Sequence, residues 1–383
     1  MTTIIIAEET NCGGESIATQ YFVKELKKKF FISTFPLEGI LKTNFFDFFL
    51  WHIQTFFYSL KKTISLSRRN PDKIILYSTS YLPGLSAIIL NKFKILNLKT
   101  CFHYHGNRIP DYPQTNFGLI KRGSQLFKYK FVKTLHQYLV NNSDLLIFTS
   151  ESSKKTFFNN FSKSLLNNSI IVPNGVNVNK FTPCTDHKKK ILKKEFEINS
   201  KQVVSLVGSL NSRKNLLIFL NSLKFLKNQD TTYIIAFPKP KNEFENVYLQ
   251  KVNKYLSENL IKKTQIRLFQ DYPQIEHIYQ VSNCSVIISS REEFPLCLLE
   301  SLACGTPVIT STQGLARNLV QKEISKKLIV HHLSSVNLAK KINTFFMMKS
   351  PELNSIIDKS IKVSNKFTWE KSAKLLIKEL SLI

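Results

Sequence analysis

The sequence predicts an α/β fold in which helices cover parallel sheets, divided over two domains. Residues 284–320 run through a buried strand, a polar loop, a short helix and a second strand, the order typical of a parallel sheet. The start of the chain repeats this order, since an apolar run over residues 3–7 leads through Gly13 and Gly14 into a helical pattern. At 383 residues the chain exceeds the usual size of one domain, and two domains fit best.

Two carboxylates flank the start of the helix in this 284–320 stretch. Cys284–Ser290 is apolar and β-branched, as expected for a strand buried on both faces, and Leu296–Cys304 has helical composition. Glu292 lies in the loop between them, and Glu300 lies on the helix. A helix that follows a strand directs its free N–H groups at the crevice where α/β folds bind phosphates. Carboxylates beside that crevice can accept hydrogen bonds from sugar hydroxyls, although the same spacing also fits two solvent-exposed acids.

The stretch resembles the signature of retaining glycosyltransferases of family 4. The resemblance rests on Glu292 and Glu300, separated by seven residues, and on the run Cys304-Gly305-Thr306-Pro307-Val308-Ile309 that follows. It implies the α/β GT-B fold, in which two Rossmann-like domains face across a cleft and a C-terminal helix crosses back to the N-terminal domain. It also implies that Glu300 binds the donor ribose and that Glu292 acts at the sugar hydroxyls, with donor contacts from Glu293 and Phe294.

Further matches to this family occur in the first half of the chain. Gly13 and Gly14 stand where a glycine-rich loop of the family approaches the donor diphosphate and the acceptor. In the predicted strand over residues 100–107, alternation places His103 and His105 on the same side. Two histidines without a third ligand close by in the sequence make a weak metal site. The resemblance instead assigns His105 to the transferred sugar or the acceptor, and it gives His103 no role.

The second half opens on a predicted strand at 202–206, followed by a loop that matches the family's phosphate-binding segment. Lys214 stands at the place of the lysine that binds the donor phosphates in the family. A cation there stabilises the charge that develops on the leaving diphosphate. Ser209 replaces the arginine of the family pattern, and we expect Arg213 to supply the missing charge.

The domain boundary is predicted from the turn Pro173-Asn174-Gly175, which resembles the family's entry into its interdomain linker. We expect an acceptor-side domain, a nucleotide-sugar-binding domain and a terminal helix that packs back on the first domain, over residues 1–180, 181–362 and 363–383. The charged stretch 182–199 is predicted to be a surface connector.

Residues 44–66 are rich in phenylalanine and show an amphipathic helical pattern. The apolar stripe comprises Phe46, Phe49, Leu50, Ile53, Phe57 and Leu60, and the basic residues Lys61, Lys62, Arg68 and Arg69 lie at and beyond its end. One interpretation is a helix that rests on an anionic membrane surface. The other, which the sequence favours, is an ordinary helix of the first domain packed on its sheet.

The chain carries a formal charge of +27, from 54 Lys and Arg against 27 Asp and Glu. Such a charge is typical of proteins that bind nucleic acid or an anionic membrane. The excess is lysine scattered through the chain, alongside abundant Asn, Ile and Phe, which also agrees with the composition of an AT-rich genome. No aromatic-basic motif of the known nucleic-acid modules occurs in the sequence, so binding to nucleic acid is not expected.

Cysteine usage and hydropathy favour a cytoplasmic protein. None of the six cysteines forms a Cys-x-x-Cys pair, and several lie in apolar runs, which indicates free, buried thiols in a reducing compartment. No uninterrupted apolar run reaches the ~18 residues of a membrane span. The apolar run at residues 2–7 is too short for a signal peptide and turns acidic at Glu8.

Together, the residues and the resemblance predict a retaining hexosyltransferase. It moves a sugar from a nucleotide-sugar donor to a glycan or lipid-linked acceptor in surface polysaccharide or glycolipid biosynthesis, without a metal or another cofactor, at the inner face of the membrane. The implied catalytic residues are His105 and Glu292, and the implied donor contacts are Gly13, Gly14, Arg213, Lys214, Glu293, Phe294 and Glu300. A non-catalytic GT-B partner subunit is the alternative, because Ser209 and Arg317 depart from the family pattern.

Overall fold

The computed structural model divides the chain into two compact units. The first consists of Met1–Pro173 together with Ser372–Ile383, and the second of Asn174–Lys371. The chain therefore passes between the units twice, after Pro173 and after Lys371, whereas the sequence placed the first passage after residue 180. The residues that the structure describes are 2–9, 13–37, 45–69, 73–105, 119–161, 168–227, 230–240, 243–258, 265–290, 292, 294–311 and 314–383.

The first unit is built on a six-stranded sheet covered by helices. Its strands are β1 (Thr3–Glu9), β2 (Phe31–Leu37), β3 (Ile74–Ser78), β4 (Leu98–Tyr104), β5 (Leu145–Phe148) and β6 (Ser169–Ile171). Its helices are α1 (Gly13–Leu26), α2 (Phe45–Arg69), α3 (Tyr81–Lys92), α4 (Leu119–Asn142) and α5 (Glu151–Asn160). The strand order is β2-β1-β3-β4-β5-β6, and every neighbouring pair is parallel. Because parallel strands need crossover connections, helices lie between them in the chain.

The second unit contains another six-stranded parallel sheet, with the order β12-β11-β10-β7-β8-β9. Its strands are β7 (Gln202–Val207), β8 (Thr231–Phe237), β9 (Ile266–Gln270), β10 (Cys284–Ile287), β11 (Val308–Ser311) and β12 (Ile329–Val330). The helices are α6 (Asp186–Glu195), α7 (Leu216–Ser222), α8 (Glu243–Glu258), α9 (Ile275–Val281), α10 (Leu296–Ala303), α11 (Gly314–Leu319), α12 (Ser335–Phe346) and α13 (Ser350–Ser364). The last helix, α14 (Trp369–Leu382), begins in this unit and ends in the first.

In both sheets the strand order reverses beside the first strand of the unit. In the first unit the chain returns across β1 to form β3, and in the second it returns across β7 to form β10. Parallel α/β sheets bind ligands outside the carboxyl ends of their strands at such a reversal. The topology therefore selects the loops after β7 and β10, and the ends of β1 and β3, as places for a site, and β4 is the next strand beside β3.

The stretch 182–199, predicted as a surface connector, is mostly exposed but contains a helix. Its central residues form α6, which begins where the Thr185 hydroxyl accepts a hydrogen bond from the Lys188 amide. Leu192, Phe196 and Ile198 are buried and pack with residues of β7 and β8. A few apolar side chains thus anchor a segment whose composition is dominated by lysine.

Helix α2 packs against the sheet and α3, but three residues of the predicted apolar stripe are exposed to solvent. Leu50, Ile53 and Phe57 are 40%, 54% and 60% exposed. The side chains of Phe46 and Phe49 lie outside the described residues. The exposed face continues along the helix into Lys61 and Lys62, so apolar and basic side chains share it.

The buried face of α2 is unusually polar. His52 shares a hydrogen bond with the hydroxyl of Tyr81 on α3. Further along, Ser59, Thr63 and Ser67 are buried, and the Ser59 hydroxyl donates to a main-chain carbonyl of its own helix at 2.7 Å. These polar groups lie on the same side of the helix as Trp51, Phe56 and Leu66, which pack against the hydrophobic core, so the buried face of α2 is mixed.

The described cysteines are all free thiols. Cys101, Cys284 and Cys304 are buried, and Cys184 and Cys297 are partly buried, whereas Cys12 lies outside the described residues. Among the helices that the structure describes, none has the length and apolar character needed to cross a bilayer.

Candidate functional site

The loops after β7 and β10 form the first candidate site. These strands are neighbours in the sheet at the reversal of strand order. Strand β7 leads through Gly208 into a 3₁₀ turn over Ser212–Lys214, and β10 leads into the loop that carries Glu292. The sheet thus brings together two predicted site residues that lie far apart in the sequence.

Hydrogen bonds hold these two loops in register. Asn215 adopts a φ of 55°, and its side-chain amide donates to the carbonyl of Ile288 at 2.7 Å. The amide N–H of Ser290 donates to the carbonyl of Arg213 at 2.8 Å. Because these bonds lie on either side of Lys214, they fix the segment from which its side chain extends.

Lys214 lies across the backbone of Gly208 and pairs with Glu292. A Cβ atom on Gly208 would stand 3.1 Å from the lysine Cε, so any larger residue there would displace the lysine. The Lys214 ammonium donates a hydrogen bond to Glu292 Oε1, and the two side chains are only 17% and 22% exposed. Burial alone would lower the pKa of Lys214, but the neighbouring Cys297 sulfur and the Glu292 carboxylate raise it. Lys214 is therefore a well-held cation at neutral pH.

The loop after β10 is also fastened to the start of the second unit. Phe294 is buried with its ring edge-on to Phe367, at 5.6 Å between centroids. Its carbonyl accepts a hydrogen bond from the buried amide of Asn174 at 3.1 Å, while Asn174 Oδ1 has no hydrogen-bond partner within the described part of the chain. At the next residue, a Cβ on Gly175 would come within 2.3 Å of the Trp369 amide nitrogen, so this close approach requires glycine.

Glu300 lies on α10 in a partly buried, hydrogen-bonded position. The Tyr279 hydroxyl of α9 donates to Glu300 Oε2 at 3.2 Å. Burial raises the pKa of Glu300 to about 7; the Tyr279 hydrogen bond and Lys180 act in the opposite direction, and Glu276 adds to the increase. Lys180 itself forms an ion pair with Glu276 at 3.5 Å. This carboxyl group therefore changes protonation near neutral pH.

The remaining predicted donor contacts of the second unit differ in their surroundings. Arg213 is exposed, beside Lys214 in the 3₁₀ turn. Ser209, which replaces the family arginine, accepts a hydrogen bond from the Asn211 side chain at 2.8 Å. Glu293 lies outside the described residues. The substitution by Arg213 that the sequence suggested stays a prediction.

The second candidate site lies at the carboxyl ends of β3 and β4 in the first unit. His105 follows β4 and is partly buried, and its ring lies against His103, with 3.9 Å between centroids. Gly13 and Gly14 open α1, and residues 10–12 before them lie outside the described residues. The site therefore holds His105, as expected from alternation along the strand.

Sequence reasoning missed three residues that the structure brings to these sites. Tyr77 on β3 shares a hydrogen bond with His103, and Tyr279 on α9 does so with Glu300. Asn174 was noted only as part of a turn, yet it holds the loop after β10. Their partners lie at no fixed sequence spacing, so only the packing of neighbouring elements reveals them.

Within the described ranges, no group of three or more His, Cys, Asp or Glu side chains is arranged to hold a metal ion. That the protein needs neither a metal nor another cofactor stays a prediction.

Residues 187–363 match the family model described as Glycosyl transferases group 1. This segment lies within the second unit and includes Lys214, Glu292 and Glu300.

Two curated relatives show where sequence similarity extends. A D-inositol 3-phosphate glycosyltransferase of Corynebacterium jeikeium is 26% identical over 188 residues, which are 46% of this chain and 43% of that protein. A UDP-Gal:alpha-D-GlcNAc-diphosphoundecaprenol alpha-1,3-galactosyltransferase of Escherichia coli is 30% identical over 166 residues, 42% of this chain and 40% of that protein. The chain thus spans less than half the length of either relative.

Similarity to solved structures extends over the whole chain. The crystal structure of Anabaena Alr3699/HepE in complex with UDP-glucose superposes with a TM-score of 0.77, covering 100% of both chains at 15% sequence identity. At this identity the likeness establishes the fold. With two six-stranded parallel sheets, the chain has the GT-B fold of two Rossmann-like domains, and its second unit carries the segment that matches the group 1 glycosyl transferases.

Proposed function

We propose that the protein is a retaining glycosyltransferase that uses a nucleotide-sugar donor. The observation that carries the proposal is the Lys214–Glu292 ion pair at the reversal of strand order, inside the segment that matches the group 1 family. Glu300 lies on the helix that follows. A buried cation at the carboxyl edge of the sheet suits a leaving diphosphate, and carboxylates beside it suit sugar hydroxyls.

In this proposal the diphosphate of the donor competes with Glu292 for the Lys214 ammonium. The carboxylate of Glu292 then becomes available to accept hydrogen bonds from hydroxyls of the sugar. Negative charge grows on the diphosphate as the glycosidic bond breaks, and the fixed ammonium stabilises it without reorganisation. The acceptor attacks from the face that the diphosphate leaves, so the anomeric configuration is retained without a covalent intermediate.

Glu300 is proposed to bind the ribose of the donor. Burial disfavours its charged form in the free protein, as its raised pKa of about 7 indicates. Two ribose hydroxyls that donate to the carboxylate would stabilise the charged form and lower that pKa again. Binding of nucleotide and release of the Glu300 proton are therefore coupled. His105 is proposed to contact the transferred sugar or the acceptor.

The donor and acceptor classes follow from the named relatives. The Escherichia coli relative is named for a UDP-Gal donor and a diphosphoundecaprenol-linked acceptor, and the Anabaena structure is a complex with UDP-glucose. We accordingly propose a UDP-hexose donor and a glycan or lipid-linked acceptor, in surface polysaccharide or glycolipid biosynthesis, at the cytoplasmic face of the membrane.

The exposed face of α2 supports contact with an anionic membrane. Leu50, Ile53 and Phe57 are exposed there, and Lys61 and Lys62 continue the same face. Apolar side chains that enter the headgroup region and lysines that meet anionic lipids are the two contributions that hold a peripheral helix on a bilayer. A lipid-linked acceptor would then be presented to a protein already at the membrane surface.

A non-catalytic partner subunit remains the second candidate. The Ser209 hydroxyl is engaged by the Asn211 side chain, so this position supplies a neutral group where the family pattern has a cation. If the exposed Arg213 does not replace that charge, phosphate binding is weakened at this loop.

A donor panel separates the two candidates. The protein is incubated with UDP-, GDP-, ADP- and TDP-hexoses, and release of the nucleoside diphosphate is measured with and without membrane lipid extract. We expect turnover with a UDP-hexose, and NMR of the product should show the anomeric configuration of the donor. No release and no binding of any donor would contradict the enzyme and favour the partner subunit, while an inverted product would contradict the retaining mechanism alone.

A further inference from the structure

The carboxyl ends of β3 and β4 bring three side chains into a row. The Tyr77 hydroxyl shares a hydrogen bond with His103 Nδ1. The His103 ring in turn lies against His105, with 3.9 Å between centroids and 38° between planes. The row therefore runs from a buried phenol, through a buried imidazole, to the partly buried imidazole of the candidate site.

His103 is completely buried and neutral. Its exposed fraction is 0%, and burial, together with the nearby His105, holds its pKa well below the usual range. Tyr77 fixes one ring nitrogen, while the other, Nε2, is buried with no hydrogen-bond partner among the residues that the structure describes. A buried polar atom without a partner is destabilising and calls for a physical reason.

Two other buried histidines of the same unit also form hydrogen bonds. His52 shares a hydrogen bond with Tyr81, and His136 Nδ1 hydrogen-bonds to the Val132 carbonyl at 2.9 Å. The surroundings of His103 include the ring of Phe22, with 5.8 Å between ring centroids, so an apolar ring is compatible with this position. Packing alone therefore does not require an imidazole at this place.

We propose that His103 is a positioning residue for His105, with Tyr77 as its anchor. The inference rests on the proposed function, in which His105 contacts the transferred sugar or the acceptor. Because the Tyr77 hydroxyl fixes one edge of the His103 ring, that ring presents a fixed face to His105 and limits the rotation of the second imidazole. An imidazole held in one orientation offers its nitrogen to a substrate hydroxyl without reorganisation.

The kinetic test removes the hydrogen bond between Tyr77 and His103 but keeps an aromatic ring at both positions. Tyr77→Phe deletes the hydroxyl, and His103→Phe keeps an aromatic ring but deletes the hydrogen bond. We expect each variant to lower kcat by about 10–100-fold, by analogy with residues that orient a metal-ligating histidine. The KM for the donor should change little, because Lys214 and Glu300 are untouched.

Tyr81→Phe is the matched control, because it deletes the hydroxyl of another buried tyrosine–histidine pair in the same unit. We expect it to keep the wild-type kcat. Wild-type kcat in both Tyr77→Phe and His103→Phe would overturn the inference. An equal loss in Tyr81→Phe would also overturn it, because the effect would then be a general response to a lost buried hydrogen bond.

A second measurement does not depend on turnover. In ¹⁵N spectra of histidine-labelled protein, we expect the wild-type His103 ring to be a single neutral tautomer. Tyr77→Phe should shift the ring signals of both His103 and His105, and Tyr81→Phe should shift neither. Unchanged His105 signals in Tyr77→Phe would overturn the inference even in an active enzyme. Shifted signals in a protein that turns over no donor would instead contradict the proposed function and leave the positioning role standing.

Discussion

The two sheets of this protein carry different chemistry at the same topological place. Beside the reversal of strand order, the second unit holds the Lys214–Glu292 ion pair. The carboxyl edge of the first sheet holds aromatic rings, with His103 of β4 buried between Tyr77 of β3 and His105. One scaffold thus supplies an ion pair in one unit, suited to a diphosphate, and phenol and imidazole groups in the other, suited to hydroxyls.

Removal of the Lys214 ammonium should cause the largest loss of turnover. Lys214→Ala is expected to lower turnover by at least ~100-fold, because it removes a fixed charge that stabilises the leaving diphosphate. Steady-state release of nucleoside diphosphate is the measurement. Lys254→Ala, which removes an exposed lysine of α8, is the control and should retain full turnover. A Lys214→Ala enzyme within a few-fold of wild type would show that the charge of this edge does not serve catalysis.

Removal of the Glu300 carboxylate should have the next largest effect, on nucleotide affinity. Glu300→Ala is expected to weaken binding of the cognate nucleotide by about 10–100-fold, since charge-assisted hydrogen bonds to the ribose are lost. Calorimetry with the free nucleotide measures the change, and circular dichroism checks that the variant is folded. An unchanged affinity in a folded variant would remove Glu300 from the ribose site.

The raised pKa of Glu300 also predicts a pH-dependent stability. Its pKa is raised to about 7 in the folded protein, so the folded state binds this proton more tightly than the unfolded state. The contribution of this proton to the free energy of unfolding is fully present below pH ~4.5 and is lost as the pH rises through about 7. Relative to Glu300→Gln, the wild type should therefore lose on the order of 2–3 kcal/mol of unfolding free energy between pH 5 and pH 8. Denaturant unfolding of both proteins at several pH values tests this, and parallel curves would contradict it.

Helix α2 of the first unit is expected to carry the membrane contact. Replacing both Ile53 and Phe57 of α2 by serine should weaken binding to anionic vesicles by about 10-fold or more, because apolar burial at the interface is lost. Co-sedimentation at low and high salt is the measurement, and wild-type binding should weaken with salt. Phe244→Ser is a matched control: its ring is 67% exposed, but it lies between Glu243 and Glu245. Equal losses in both variants, or unfolding of the α2 variant, would contradict the assignment.

Removal of the Arg213 side chain should cause the smallest loss of turnover. Its side chain is exposed, so solvent screens its charge, and Arg213→Ala is expected to lower turnover only about 3–10-fold. Restoring the family pattern by Ser209→Arg in the same protein should recover activity. No effect of Arg213→Ala would show that this residue does not replace the missing arginine, and the partner-subunit alternative would gain support.

The sequence predicted most of the architecture, because apolar runs and glycine turns mark buried strands and their connections. It identified Lys214 and Glu292 separately, but their direct contact depends on the hydrogen bond from Asn215 to Ile288 that registers two distant loops. No spacing rule links such positions. Tyr279 was missed for the same reason, since it meets Glu300 through the packing of α9 against α10.

Two further differences from the sequence pattern concern helix α2 and Asp271. The pattern of α2 identified an apolar stripe correctly but not its direction, because periodicity defines a face and the neighbouring elements decide whether it is covered. Asp271 stands where the family often has glycine, and it adopts a φ of 50° in the left-handed region that favours glycine. Asp271 therefore adopts a backbone conformation for which glycine is the usual residue.

The divided first unit has a consequence for synthesis on the ribosome. Its last segment, Ser372–Ile383, includes the buried Leu376 and Leu380, and Ser381 accepts a hydrogen bond from Lys29 at 3.2 Å. These residues emerge only after the whole second unit has been translated, a delay of about 10–40 s at the usual elongation rates of 5–20 residues/s. The part of the protein that is made first is therefore completed last. A fragment that ends at Pro173 would lack this segment permanently.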